Sequence, residues 1–265
     1  MALIAPAPIG FERSAVPGAT LEDLDLDALA AYLRQRAPNL AASLGAEQLA
    51  TRVGLLVAVS GGPQPSIAGL MSFGTLPQLH RPEWGLSAVR IAGKSLADPI
   101  TARGDLEGDL RALLGQALAF VRAHTRAVPD LLRPGELRLE YPEEAVREAL
   151  TNALVHRDLR LSGRIGLRIF DDRLEISSPG GLPAPLPLDE LAQHGSLSLP
   201  RNPLLAAVAR GLGLIEQIGR GLPLIRAAVA EVSAQPVSFA ASGIELRVTL
   251  PSPLAALHHH RGGGN

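Results

Sequence analysis

The sequence predicts an α/β protein: a two-layer sandwich on a mostly antiparallel sheet, preceded by a smaller, mainly helical segment with some β. Three observations carry this. Residues 136–252 read as strand, helix, two strands joined at Asp171-Asp172, helices, and a closing pair of strands around Ser242-Gly243, an order in which helices pack against one sheet. Hydrophobic residues make up 46% of the 265 and charged residues 19%, enough apolar side chain to bury a sizeable core. Pro129 to Gly135 breaks the chain, and helical periodicity dominates before it.

Residues 1–20, rich in Pro, Gly and Ala, read as an irregular arm. In 21–128, Leu26, Leu29, Ala30 and Leu33 line one face of a helix from Asp25 to Arg36. Ala46 to Val59 reads as a second amphipathic stretch and Ser66 to Phe73 as a short apolar helix. Leu86 to Ile91 alternates like a strand. Asp105 to Thr125 reads as a long helix with Leu106, Leu110, Leu113, Leu114, Ala117 and Val121 inward. After the break, Leu137 to Glu140 predicts a strand, and Pro142 opens a helix at its N1 position with Glu143 and Glu144 in the first turn. Strands follow at 164–170 and 173–177, helices at 204–210 and 221–231, and strands at 237–241 and 244–250. Residues 253–265, with His258-His259-His260, read as a disordered tail rather than a metal site.

Composition removes several function classes. The chain contains no cysteine, which excludes disulfides, thiolate catalysis and Cys-based zinc sites. Met1 to Gly10 lacks the basic and apolar pattern of a signal peptide, and no run approaches the roughly 20 apolar residues of a membrane helix. A cytoplasmic protein is the expectation. Net charge is −1 with a pI near 6.7, so no global field draws in nucleic acid. Lys94 is the only lysine.

Three apparent motifs fail on context. Gly93-Lys94-Ser95 ends like a P-loop, but the earlier glycine falls on Ala88 and no strand-to-helix turn precedes it. His156-Arg157-Asp158-Leu159 mimics a kinase catalytic loop, yet the metal-binding asparagine position is Gly163. His80, His124 and His194 lack metal-ligand spacing. The informative segment is 141–158. On a helix, Glu144, Glu148, Asn152 and His156 recur every four residues as one polar stripe beside an apolar arc. On spacing alone a solvated stripe of helix-stabilising pairs is the better account.

Glu148-Ala-Leu-Thr-Asn152-Ala resembles the N-box of the GHKL ATPases, the group of DNA gyrase, MutL and histidine kinases. The resemblance implies that residues 136–252 form a GHKL-like (Bergerat) nucleotide-binding domain that takes ATP and Mg²⁺. It implies the Asn152 side-chain oxygen as metal ligand and Glu148 as general base, roles suited to a hard ion and an attacking water. In the same register, Ser178, Gly180 and Gly181 occupy the first glycine box, and Gly219-Arg220-Gly221 resembles the second, which receives phosphate at a helix start. A closer similarity joins these motifs with Ser-Pro-Gly-Gly-Leu-Pro, Arg201-Asn202-Pro203, Phe11-Glu-Arg and 67–78. It is to a bacterial and archaeal family of RecG-related ATP-binding proteins and transcriptional regulators. Its members usually begin with an Alba-like (Schlafen-type) DNA-binding module, which has no counterpart in this sequence.

Within the motifs, the aspartate that reads adenine in that family corresponds to Ser178, and a box glycine to Leu182. With no lysine at the phosphates, Arg201, Arg210 and Arg220 are the cationic candidates. The leading expectation is an ATP-binding regulator with weak or absent hydrolysis, 21–128 serving regulation or dimerisation. Its expected partners are nucleotide, a second copy of the chain, and DNA or a DNA-binding chain. The alternatives are a degenerate scaffold that binds no nucleotide and a DNA-binding regulator. For the last, arginine clustering (Arg201, Arg210, Arg220, Arg226) is the support beyond the resemblance, and near-neutral charge argues against it.

Overall fold

Ile176 and its neighbours on one strand show why the chain folds around a sheet: from Leu174 to Pro179 every residue is buried. Leu174 and Ile176 alternate with Glu175 and Ser177 there, so one face meets helices while the other carries ion pairs. The computed structural model describes residues 10–129, 135–181, 200–215 and 221–258. Of the tail expected over 253–265 as disordered, Pro253–His258 instead form a short 3-10 helix, and the rest lies outside the described residues.

The elements in order are α1 (Leu26–Arg36), α2 (Pro38–Leu44), α3 (Ala46–Val53), β1 (Leu56–Val59), β2 (Gly62–Pro65), α4 (Ile67–Phe73), β3 (Leu86–Ile91), β4 (Ile100–Leu106), α5 (Leu110–His124), β5 (Ala127–Pro129), β6 (Leu137–Leu139), α6 (Glu143–His156), β7 (Ile165–Ile169), β8 (Arg173–Pro179), α7 (Pro203–Gly211), α8 (Gly221–Ala230), β9 (Ser238–Ala241) and β10 (Glu245–Pro251). Six strands form one sheet in the order β4-β3-β7-β8-β10-β9. β3 and β7 are parallel, and every other pairing in it is antiparallel. The α/β class with a mainly antiparallel sheet is as the sequence predicts.

The sheet draws β3 and β4 from before the Pro129 to Gly135 break and the other four strands from after it. The break therefore separates two stretches that share one core. α5 and α6 cover the sheet, α5 over β3, β4 and β7 and α6 over β8. Their buried faces, Leu110, Leu113, Leu114, Ala117 and Val121 on α5 and Ala145, Val146, Ala149, Leu150 and Ala153 on α6, supply the middle of the core. α1 to α4 and the β1–β2 hairpin pack beside this layer through α4, all seven of whose residues are buried.

Two expected helices are shorter than their apolar runs. Ala46 to Val59 divides at Gly54, which takes φ +87° as a left-handed cap, and Leu56 to Val59 then pairs with β2. Asp105 to Thr125 begins its helix only at Leu110, because Asp109 caps it by accepting from Ala112 N at 2.8 Å. The residues just before it, ending at Leu106, pair with β3 as a strand. Pro142 stands one residue before α6. Among the described residues no helix is long and apolar enough to cross a membrane.

The arm is anchored to the far half of the fold. Glu12 is buried, and its Oε1 accepts from Leu204 N at 2.8 Å in the first turn of α7. Burial raises the Glu12 pKa above the usual carboxylate value, partly offset by that hydrogen bond.

Candidate functional site

The polar stripe of α6 survives folding as a partly exposed line. Glu148, Asn152 and His156 are half-buried while the residues beside them are buried. Asn152 Nδ2 donates to Glu148 Oε1 at 3.1 Å. A carboxylate accepts only, so this contact fixes which end of the carboxamide faces it. The remaining polar atom of the carboxamide, Oδ1, is a hard oxygen donor.

The start of α8 meets this pair. A Cβ on Gly221 would overlap Glu148 Oε1 and come within 3.0 Å of Asn152 Nδ2. Only a glycine lets the first turn of α8, with its unpaired N–H groups and positive dipole end, approach so closely. Beside Glu148 opens a cleft of about 510 Å³, lined among others by Arg138, Leu139, Arg147, Leu214 and Leu224. That volume falls in the range, roughly 300–1,000 Å³, of small-molecule sites. These five lining residues carry no local sequence signal, since they come together from β6, α6, the turn after α7 and α8.

Substituting Gly221 by alanine is expected to displace the Glu148 carboxylate without unfolding the chain, since the first residue of a helix tolerates alanine. Thermal denaturation would stay near wild type while Mg-nucleotide affinity falls at least tenfold. Unchanged affinity would show that the close approach is packing alone.

The other expected site residues lie at the C-terminal end of α6. Ser178 is buried on β8 and its hydroxyl donates to Ala153 O at 3.0 Å. Gly180 has φ +97° in the turn after β8, and a Cβ there would press on Asp158 Cβ at 2.7 Å. Gly181 sits against Ser242 O. Gly219 and Arg220 lie outside the described residues. Of the arginine candidates, Arg210 is exposed at the end of α7. Arg201 is engaged in a clasp: it bonds Asp158 Oδ2 at 3.0 Å, His156 O at 3.2 Å and Gly181 O. Asn202 Nδ2 donates to Val155 O and Arg157 O at 2.8 and 2.9 Å. The Arg201-Asn202-Pro203 motif thus satisfies carbonyls that the end of α6 leaves unpaired.

Arg157 and Asp158 close α6 through separate partners. Arg157 is fully buried and donates to Glu83 O and Gly163 O, both at 2.9 Å. Burial pulls its pKa down to about 10, which still leaves it charged at neutral pH. Asp158 binds Arg160 at 2.6 Å and Arg201 at 3.0 Å. Burial alone would raise its pKa, but hydrogen bonds from Arg160 and the charges of both arginines leave it lowered.

His156 ends the stripe. Burial, reinforced by Arg201, lowers its pKa to about 4 from 6.5. The folded state therefore holds it neutral, whereas the unfolded chain takes up a proton as pH drops below 6.5. Its contribution to stability is complete above pH 6.5 and is lost between pH 6.5 and 4, up to about 3 kcal/mol. Urea unfolding at pH 7 and pH 4.5 should show this slope in wild type and a shallower one in His156→Gln; equal slopes would contradict the assignment.

Residues 163–250, about a third of the chain, match the family model described as "Putative ATP-dependent DNA helicase recG C-terminal". The chain carries a RecG-related ATPase-like domain. The matched stretch of this ATPase-like domain runs from β7 to the end of β10 and includes Ser178, Gly180, Gly181 and Gly221, whereas Glu148 and Asn152 precede it. The chain is also similar to the crystal structure of the DIP2311 protein from Corynebacterium diphtheriae, with a TM-score of 0.64 and 25% identity over 91% of this chain and 47% of that one. It spans about half the length of that protein. No curated protein matches.

Proposed function

We propose that the ATPase-like domain binds Mg-ATP where α6 meets the start of α8, at the edge of the cleft that Glu148 lines, and that binding regulates a partner rather than driving rapid turnover. One observation carries this reading: a carboxylate, a carboxamide and a helix N-terminus converge at Glu148, Asn152 and Gly221. Asn152 Oδ1 would hold Mg²⁺, and the residues fit that role because the contact with Glu148 engages Nδ2 and leaves the oxygen as the carboxamide's acceptor. Mg²⁺, when bound, supplies charge neutralisation for the phosphates. Glu148 accepts a proton from a water molecule where hydrolysis occurs. The N–H groups at the start of α8 receive phosphate oxygens. Among the described residues no group of three His, Asp or Glu side chains could cage a metal, which suits an ion held jointly by one protein oxygen and phosphates.

A second reading, a scaffold that binds no nucleotide, is favoured by the engagement of Ser178 with Ala153 O and of Arg201 with Asp158. Calorimetric titration with Mg-ATP and a non-hydrolysable analogue separates the two. Saturable binding of both supports the regulator. A folded protein with no heat of binding at millimolar nucleotide leaves only the scaffold.

A further inference from the structure

Gly93-Lys94-Ser95 ends up beside a second, smaller cavity at the other end of β8. Its backbone does not cradle phosphate: Lys94 N and Ser95 N both donate to Asp98 Oδ2, at 2.8 and 2.7 Å. The loop is instead pinned to the start of β8, through Asp171 N to Gly93 O at 2.9 Å and Arg173 Nη1 to Lys94 O at 3.0 Å. This places Lys94 at a pocket of about 220 Å³ that it lines together with Asp172, Arg173, Gln235, Ser238 and Thr249.

Arg173 is held rigid before any ligand arrives. Nε donates to Glu175 Oε1 at 2.7 Å, Nη1 to Asp172 Oδ1 at 2.8 Å, and the guanidinium lies 3.8 Å from the centroid of the Phe170 ring. Nη2 makes no hydrogen bond to a described residue. A fixed guanidinium loses little entropy on binding an oxyanion, and an ammonium adds a second charge at the same place. Two hydroxyls and a carboxamide complete a wall rich in donors, and Arg173 already holds the single carboxylate of the lining, Asp172. The volume lies below the roughly 300 Å³ at which drug-sized ligands begin to fit, which suits a ligand smaller than a nucleotide. Arg173 opens β8 and Ser178 stands near its far end, so this pocket is separate from the Glu148 cleft.

We propose that the Lys94–Arg173 pocket binds a small phosphate oxyanion, either inorganic phosphate or a compact phosphomonoester. Because the chain has one lysine, reductive ¹³C-methylation yields one side-chain resonance at Lys94, distinct from that of the α-amine. Titration with inorganic phosphate and with glycerol 3-phosphate, at ionic strength held constant with sodium chloride, is expected to shift that resonance saturably. The tighter of the two identifies the source. By calorimetry, Lys94→Gln should weaken the binding roughly 10- to 100-fold and Thr249→Val about tenfold, while Glu148→Ala leaves it unchanged. The proposal is overturned by a shift that follows chloride and phosphate alike, by unaltered affinity in Lys94→Gln, or by competition from Mg-ATP, which would place the phosphate in the Glu148 cleft.

Discussion

Replacing Asn152 with alanine is expected to lower Mg-ATP affinity at least roughly 100-fold, because removal of even an outer partner of a metal costs roughly 10- to 100-fold. The effect should be confined to the Mg-dependent part of binding: without Mg²⁺, variant and wild type should bind nucleotide alike. Asn152 is half-buried, and among the described residues its one hydrogen bond to another side chain is to the half-buried Glu148. Glu148→Ala should behave in the opposite way, keeping affinity within a few-fold while any phosphate release falls by roughly 10²–10⁴. Titrations with and without Mg²⁺, paired with single-turnover phosphate release, read both. Equal Mg-dependence in Asn152→Ala and wild type would remove the metal role, and equal turnover in Glu148→Ala would remove the base.

Asp158→Ala is expected to cost about 3–5 kcal/mol of stability, the usual loss when one member of a buried ion pair is removed. Asp158 is 3% exposed. Its loss strands Arg201, whose side chain is 10% exposed, and loosens the clasp that fastens Gly181 and α7 to the end of α6. Arg160→Ala should cost about 1 kcal/mol or less, since its side chain is 22% exposed and solvent screens it. Urea midpoints of the two variants test this. A loss for Asp158→Ala no larger than for Arg160→Ala would reduce the clasp to a surface feature.

The two residues proposed at the metal and the water were legible because a helix reports its own faces. Glu148 and Asn152 stand one turn apart in any α-helix through 143–156, and Asn152 Nδ2 donates to Glu148 Oε1 across that turn. The resemblance to a nucleotide-binding family then gave that stripe a chemical meaning that periodicity lacks. β4 was not legible. Thr101, Arg103 and Asp105 alternate toward the open face, but the polar run reads as easily as the lead-in to a helix, and pairing with β3 decides it. Arg201 shows the same limit differently: an arginine near a candidate site reads as a phosphate ligand, yet Asp158, 43 residues earlier, neutralises it.

The sequence by itself determined where most helices and strands form, the mainly antiparallel α/β class and the Glu148–Asn152 stripe, because these depend on side-chain period and on caps within a few residues. Tertiary structure alone decided that β3 and β4 join the later strands in one sheet, that Gly221 is pressed against Glu148, and that Lys94 shares a pocket with Arg173. Those juxtapositions bring together residues far apart in the chain, so local patterning does not encode them. They follow from how buried faces are shared when the whole core closes.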